Sequence, residues 1–93
     1  MKKVLFVDDE PNVLAGLRRM LHPLRREFKM DFALGGREAL RLLSETAYDV
    51  LITDVVMPDI GGVELLTESV RKYPRVVRIV LSGKGIAWRI CVR

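Results

Sequence analysis

The chain has a single cysteine, Cys91, and a single histidine, His22, among its 93 residues. One thiol cannot close an intrachain disulfide, so a reducing compartment is the expected setting. Aromatic residues make up only 6% of the chain against an apolar fraction of 49%, so the core must be built from Val, Leu and Ile. No apolar run approaches the roughly 20 residues of a membrane span. Lys2-Lys3 is followed only by Val4 to Val7 before Asp8, too short a stretch for a secretory signal. Internal repeats and low-complexity segments are also lacking. These features describe one small domain, expected to be soluble, cytoplasmic, without a membrane partner and of marginal stability.

Charge is present in both signs, with a formal net value of +4. Arg18, Arg19, Arg25, Arg26 and Lys29 supply an early basic cluster, and Arg71, Lys72, Arg75 and Arg78 a later one. No groove-reading motif accompanies them, so they read as solvated faces of two helices and their exits, and nucleic acid is not the expected partner.

Strand and helix patterns alternate. Val4 to Val7 is a continuous apolar run, suited to a strand buried on both faces. Pro11 fits the first turn of a helix on which Val13, Leu17, Leu21 and Leu24 recur, with Leu14 and Met20 beside them, and Pro23 should end or fray it. Phe28, Met30, Phe32 and Leu34 alternate with other residues as in an edge strand, which Gly35-Gly36 breaks. Glu38 to Glu45 reads as a helix with Leu40, Leu43 and Ala47 on one side. Tyr48 to Thr53 reads as a third strand, Met57 to Gly62 as a loop, Val63 to Tyr73 as a helix closed by Pro74, and Val76 to Leu81 as a fourth strand. Strands one, three and four read as buried on both faces. The alternation implies βαβ crossovers and a three-layer α/β fold around a parallel sheet.

In open doubly wound sheets, ligands bind beyond the carboxyl ends of the strands. Asp8, Asp9, Asp54 and Ser82 all fall there. Carboxylates crowded together repel, and at least one pKa should rise unless a cation intervenes. Mg²⁺ is the fitting cation, being hard and oxygen-seeking. Asp9 and Asp54 are the expected direct ligands, with Asp8 acting through water and the Val56 backbone carbonyl completing the set. Glu10 reads equally well as a fifth member and as a helix N-terminal acid. Asp54 follows a buried strand and precedes a loop, so its carboxylate can attack phosphorus to form an acyl phosphate. Mg²⁺ would neutralise charge on the transferred group. Ser82 offers a hydroxyl at the same rim. An Mg²⁺-dependent enzyme acting on an external phosphate ester would need a general acid or base there, and His22 lies in the first helix, far from the strand ends.

Three segments, Val4 to Pro11, Tyr48 to Pro58 and Val80 to Gly83, resemble the receiver domains of bacterial two-component response regulators. Gly36 to Leu40 and Gly62 to Leu66 are similar to that family's second and third helices. The resemblance implies the flavodoxin/CheY-like fold with strand order 2-1-3-4. It further implies that Asp54 is the phosphoacceptor of a phosphorelay, that Asp8 and Asp9 are the metal-binding acids, that Ser82 is the switch hydroxyl, and that the phosphodonor is a sensor histidine kinase or a small molecule. The chain would then be a phosphoprotein in signal transduction and not an enzyme, apart from self-catalysed phosphorylation and dephosphorylation.

The resemblance covers residues 1–83 and stops there. In the family, a fourth helix, a fifth strand, a lysine at that strand's end and a last helix follow, and residues 84–93 do not match them. Neither Lys84 nor Trp88 takes the place of the family's lysine or switch aromatic. An acyl phosphate without that lysine lacks a charge-assisted partner worth about 1.5–3 kcal/mol. The fourth strand would be an open apolar edge, and Ile86 to Val92 could pair with it within the chain or across a homodimer. This leaves an alternative reading: a receiver-like scaffold that binds metal and self-associates without phosphorylation-dependent switching.

Overall fold

A computed structural model describes residues 1–54, 61–81 and 88–91. Strand β1 (Lys2–Asp8) leads into helix α1 (Pro11–Leu21) and a 3₁₀ turn (His22–Leu24). Strand β2 (Phe28–Leu34), helix α2 (Gly36–Glu45), strand β3 (Val50–Asp54), helix α3 (Gly62–Lys72), strand β4 (Val77–Leu81) and strand β5 (Trp88–Cys91) follow. The sheet order is β2-β1-β3-β4-β5. The first four strands are parallel, and β5 runs antiparallel to β4 with Leu81 opposite Trp88.

The expected order 2-1-3-4 is therefore present, with β2 at the edge, as its polar alternates imply. The tail pairs with the fourth strand within the chain, so the flank of β4 facing away from β3 is covered. Pro23 sits in the 3₁₀ turn, where α1 stops. A proline removes an amide donor and cannot continue the ladder of helical bonds.

Apolar side chains divide between the two faces. Leu5, Val7, Ala33, Leu51 and Leu65 form one buried cluster with Ala39 and Leu43 of α2. Val4, Phe6 and Leu14 form the other, with Leu17, Leu21, Met30, Phe32, Val50 and Ile52 against it. Phe6 and Phe32 stack with centroids 5.1 Å apart, and the Arg18 guanidinium lies 4.5 Å from the Phe32 ring centre.

Several expectations need correction. Leu17 and Leu21 face the sheet as expected, with Leu14, but Val13, Met20 and Leu24 are exposed. Ala47 lies past the end of α2 and is exposed. Strands β3 and β4 are not buried on both faces. Leu51, Thr53 and Arg78 are buried, whereas Val50, Ile52 and Ile79 are half-buried and Val77 is exposed, because helices cover the two faces unequally. Arg78 is not part of a solvated face: it is 1% exposed. Its Nη1 donates to the carbonyls of Tyr73 (3.0 Å) and Ser69 (3.4 Å), and its Nη2 to that of Pro74 (3.4 Å). The guanidinium thus closes the C-terminal end of α3, where the helix dipole favours a cation.

Candidate metal and phosphoryl site

Asp8 is the last residue of β1 and Asp54 the last of β3, and these neighbouring parallel strands end side by side. Asp9 follows in the bend before α1. Asp8, Asp9 and Asp54 each present a carboxylate oxygen within 4.8 Å of the others. Asp8 is buried, and the other two are half-buried.

Local backbone structure fixes this arrangement. Glu10 is the N-cap of α1: its carbonyl accepts from the amides of Val13 (3.1 Å) and Leu14 (3.2 Å). Its own amide donates to Asp8 Oδ1 at 2.9 Å. Glu10 therefore positions Asp8 through its backbone, and the acidic group that converges is Asp8, Asp9 and Asp54. The Gly35 amide donates to the Asp8 carbonyl at 2.9 Å, joining the end of β1 to the start of α2. Gly35 adopts φ 90°, ψ 167°, a region open essentially only to glycine.

Burial pushes the Asp8 carboxyl above its ordinary value of 3.8, the Glu10 amide pulls it partly back, and repulsion from Asp54 and Asp9 raises it further. The expected rise from crowded carboxylates thus falls on Asp8, the most enclosed of the three. Three hard oxygen donors on one rim suit a divalent cation, which would relieve both repulsion and desolvation. Ser82 and the Val56 carbonyl lie outside the described residues.

Sequence reasoning missed two polar groups that support this architecture. Tyr48 Oη donates to Asp31 Oδ2 at 2.6 Å. Burial and that carboxylate push the phenol well above its usual range. The Asp49 side chain accepts from the Lys3 amide at 2.8 Å, binding the start of β1 to the approach to β3. Neither had a sequence signal, because each partner lies many residues away.

A parallel sheet whose β1 and β3 ends gather three acids defines an α/β module with a rim that could hold a metal ion, at the strand ends where open α/β sheets bind ligands. The family model for the response regulator receiver domain matches residues 4–87, and the chain belongs to that family, the receiver domains of two-component response regulators. It is 40% identical over 80 residues to the hydrogenase transcriptional regulatory protein HoxA of Cupriavidus necator, covering 86% of this chain and 16% of that protein. It is 37% identical over 82 residues to the response regulator GacA of Pseudomonas aeruginosa, covering 88% and 38%. The chain thus spans well under half the length of these relatives. Among solved structures, the response regulator TrrA of Thermotoga maritima in complex with Mg²⁺-BeF is 36% identical with a TM-score of 0.78, over 88% of this chain and 70% of that one. TrrA in complex with the histidine kinase ThkA is similar at 35% identity and TM-score 0.79, over 91% and 72%. Among the described residues, no helix is long and apolar enough to cross a membrane.

Proposed function

We propose that Asp54 accepts a phosphoryl group with Mg²⁺ held by Asp8, Asp9 and Asp54. The observation that carries this reading is the convergence of the three carboxylates within 4.8 Å at the ends of β1 and β3. A carboxylate oxygen of Asp54 attacks phosphorus, the donor's bond to phosphorus breaks, and its electron pair leaves with the donor. Mg²⁺, when bound, neutralises charge on the transferred group and lowers the repulsion among the acids. The chain's own residues supply nucleophile and ligands; Asp8 is held by the Glu10 amide and oriented by the end of β1. Ser82 is assigned the switch hydroxyl and the Val56 carbonyl the remaining protein ligand. The donor is a sensor histidine kinase or a small acyl phosphate. Likeness to TrrA, crystallised with Mg²⁺-BeF and with ThkA, supports both the metal and the kinase. The module is cytoplasmic and acts as a phosphoacceptor, not as an enzyme on an external substrate.

The scaffold reading is of a chain that binds metal and self-associates, through the β4 edge or the tail, without switching; the pairing of β5 along β4 disfavours the β4 edge as that contact. The test is incubation with acetyl phosphate and Mg²⁺, read by intact mass, with Asp54→Asn as control. A phosphoryl adduct in the native chain, absent in the variant and in chelator, is expected. Adduct formation by Asp54→Asn, or none by the native chain while Mg²⁺ still raises its melting temperature, would overturn the assignment.

A further inference from the structure

Strand β2 lies at one end of the sheet. All 7 of its residues, Phe28 to Leu34, pair with β1 in unbroken register, and none is a proline. Among the described residues, its backbone makes no hydrogen bond beyond that ladder. The amides and carbonyls on its outer side therefore form an edge on which another strand can be laid. A strand of this length spans about 23 Å.

The two sides of that edge differ in chemistry. On the side of α1, a cavity of about 460 Å³ opens against Phe28, Met30 and Phe32, and its rim carries Arg18, His22 and Arg25. Arg25 is anchored there by a bond from its Nη1 to the His22 carbonyl at 2.9 Å. Among the described residues, none of these three cationic side chains forms an ion pair. On the side of α2, Lys29 and Asp31 alternate in phase with Ala33, which packs with that helix. A groove of about 290 Å³ runs across the edge itself and joins Arg18, Met30 and Phe32 to Asp31, Glu38 and Tyr48. On this second side the charges are already matched. Asp31 accepts from Tyr48, Glu38 pairs with Arg41, and Lys29 offsets Asp31. The unbalanced charge along the edge is positive and lies on the α1 side.

We infer that the free edge of β2 takes up an extended acidic segment of a partner protein as an added strand. Alternate side chains of that segment enter the α1-side cavity, apolar ones against Phe28 and Met30 and acidic ones against Arg18 and Arg25. The intervening side chains, polar and uncharged, lie over Lys29 and Asp31. Backbone bonds supply affinity, and the alternation supplies selectivity. A second copy of this chain fits less well. An antiparallel pair of β2 strands keeps both α1 helices on one side of the joined sheet and sets the two groups of arginines against each other.

The probe is a fluorescein-labelled peptide of about eight residues, with Val and Glu at one set of alternate positions and Thr at the other, beside a twin with Lys for Glu. The acidic peptide should bind saturably, weaken with salt, and slow amide hydrogen exchange along β2. Arg18→Glu/Arg25→Glu, two exposed positions, should weaken it about tenfold while the circular dichroism spectrum stays native. Methylating the peptide's backbone nitrogens at one set of alternate positions should abolish binding, and at the other set should leave it intact, because only one set faces β2. Equal binding of the two peptides, undiminished binding to the double variant, or an equal effect of methylation at either set would overturn the inference. So would sedimentation showing dimers of the free chain that the peptide dissociates.

Discussion

Asp8→Asn separates the cost of the acidic site from its use. Asp8 is 7% exposed and its Oδ1 accepts the Glu10 amide at 2.9 Å. Asparagine retains an oxygen for that bond and removes only the charge. The oxygens lie within 4.8 Å of one another; at that outer separation one pair repels by about 3.5 kcal/mol at an effective dielectric of ~20 and about 0.9 kcal/mol in water. Asp9 and Asp54 are half-buried, so the gain lies between these limits, and relief of Asp8 desolvation adds to it. In chelator at neutral pH, Asp8→Asn should be more stable by about 1–2 kcal/mol and melt about 5–10 °C higher. The pH dependence has a definite sign. The folded-state pKa of Asp8 is raised above 3.8, so its ionisation costs stability above that folded value. The cost disappears as pH falls through it, and the variant's advantage disappears with it. Magnesium should reverse the ranking, since a ligand at one hundred times its dissociation constant adds about 2.7 kcal/mol to the native chain and less to a variant lacking one acid. Calorimetric melts of both proteins across pH, with and without Mg²⁺, provide the measurement. An Asp8→Asn variant no more stable than the native chain in chelator, or a native chain indifferent to Mg²⁺, would refute the reasoning.

Arg78→Met keeps much of the buried volume but strands the carbonyls at the end of α3, and should cost about 2 kcal/mol in urea denaturation; an unchanged midpoint would show that the guanidinium does not hold that helix end. Tyr48→Phe loses the bond to Asp31 and should cost about 1–2 kcal/mol. In the native chain, the Tyr48 phenol should ionise well above the free-tyrosine range in an alkaline absorbance titration, and ionisation within that range would contradict the buried bond. Gly35→Ala has room for its methyl group but not the backbone freedom, and should cost about 1–3 kcal/mol; a neutral result would mean that φ relaxes there.

Much of the architecture was legible because local rules agreed with one another. The apolar run Val4 to Val7 ending in Asp8-Asp9, and Val50 to Thr53 ending in Asp54, place acids where parallel strands end, and β3 pairs directly with β1. Proline and glycine marked the breaks at Pro23 and Gly35. The misreadings share one cause: periodicity says that a residue is apolar or charged, but not what lies opposite it. Arg78 looked like one more surface cation until β4 placed it under the end of α3. Val13 looked like a core residue until the helix turned Leu14 inward.

By itself, the sequence determined the order of elements, the edge position of β2 and the three acids at the strand ends, since each follows from hydrophobic period and local turn chemistry. Tertiary structure alone decided the rest. It made Asp8 the most burdened carboxylate, because only packing sets burial and oxygen separation. It ran β5 antiparallel along β4, and it buried Arg78 under the end of α3 while leaving Val77 exposed, since which surfaces meet depends on contacts between residues far apart in the chain.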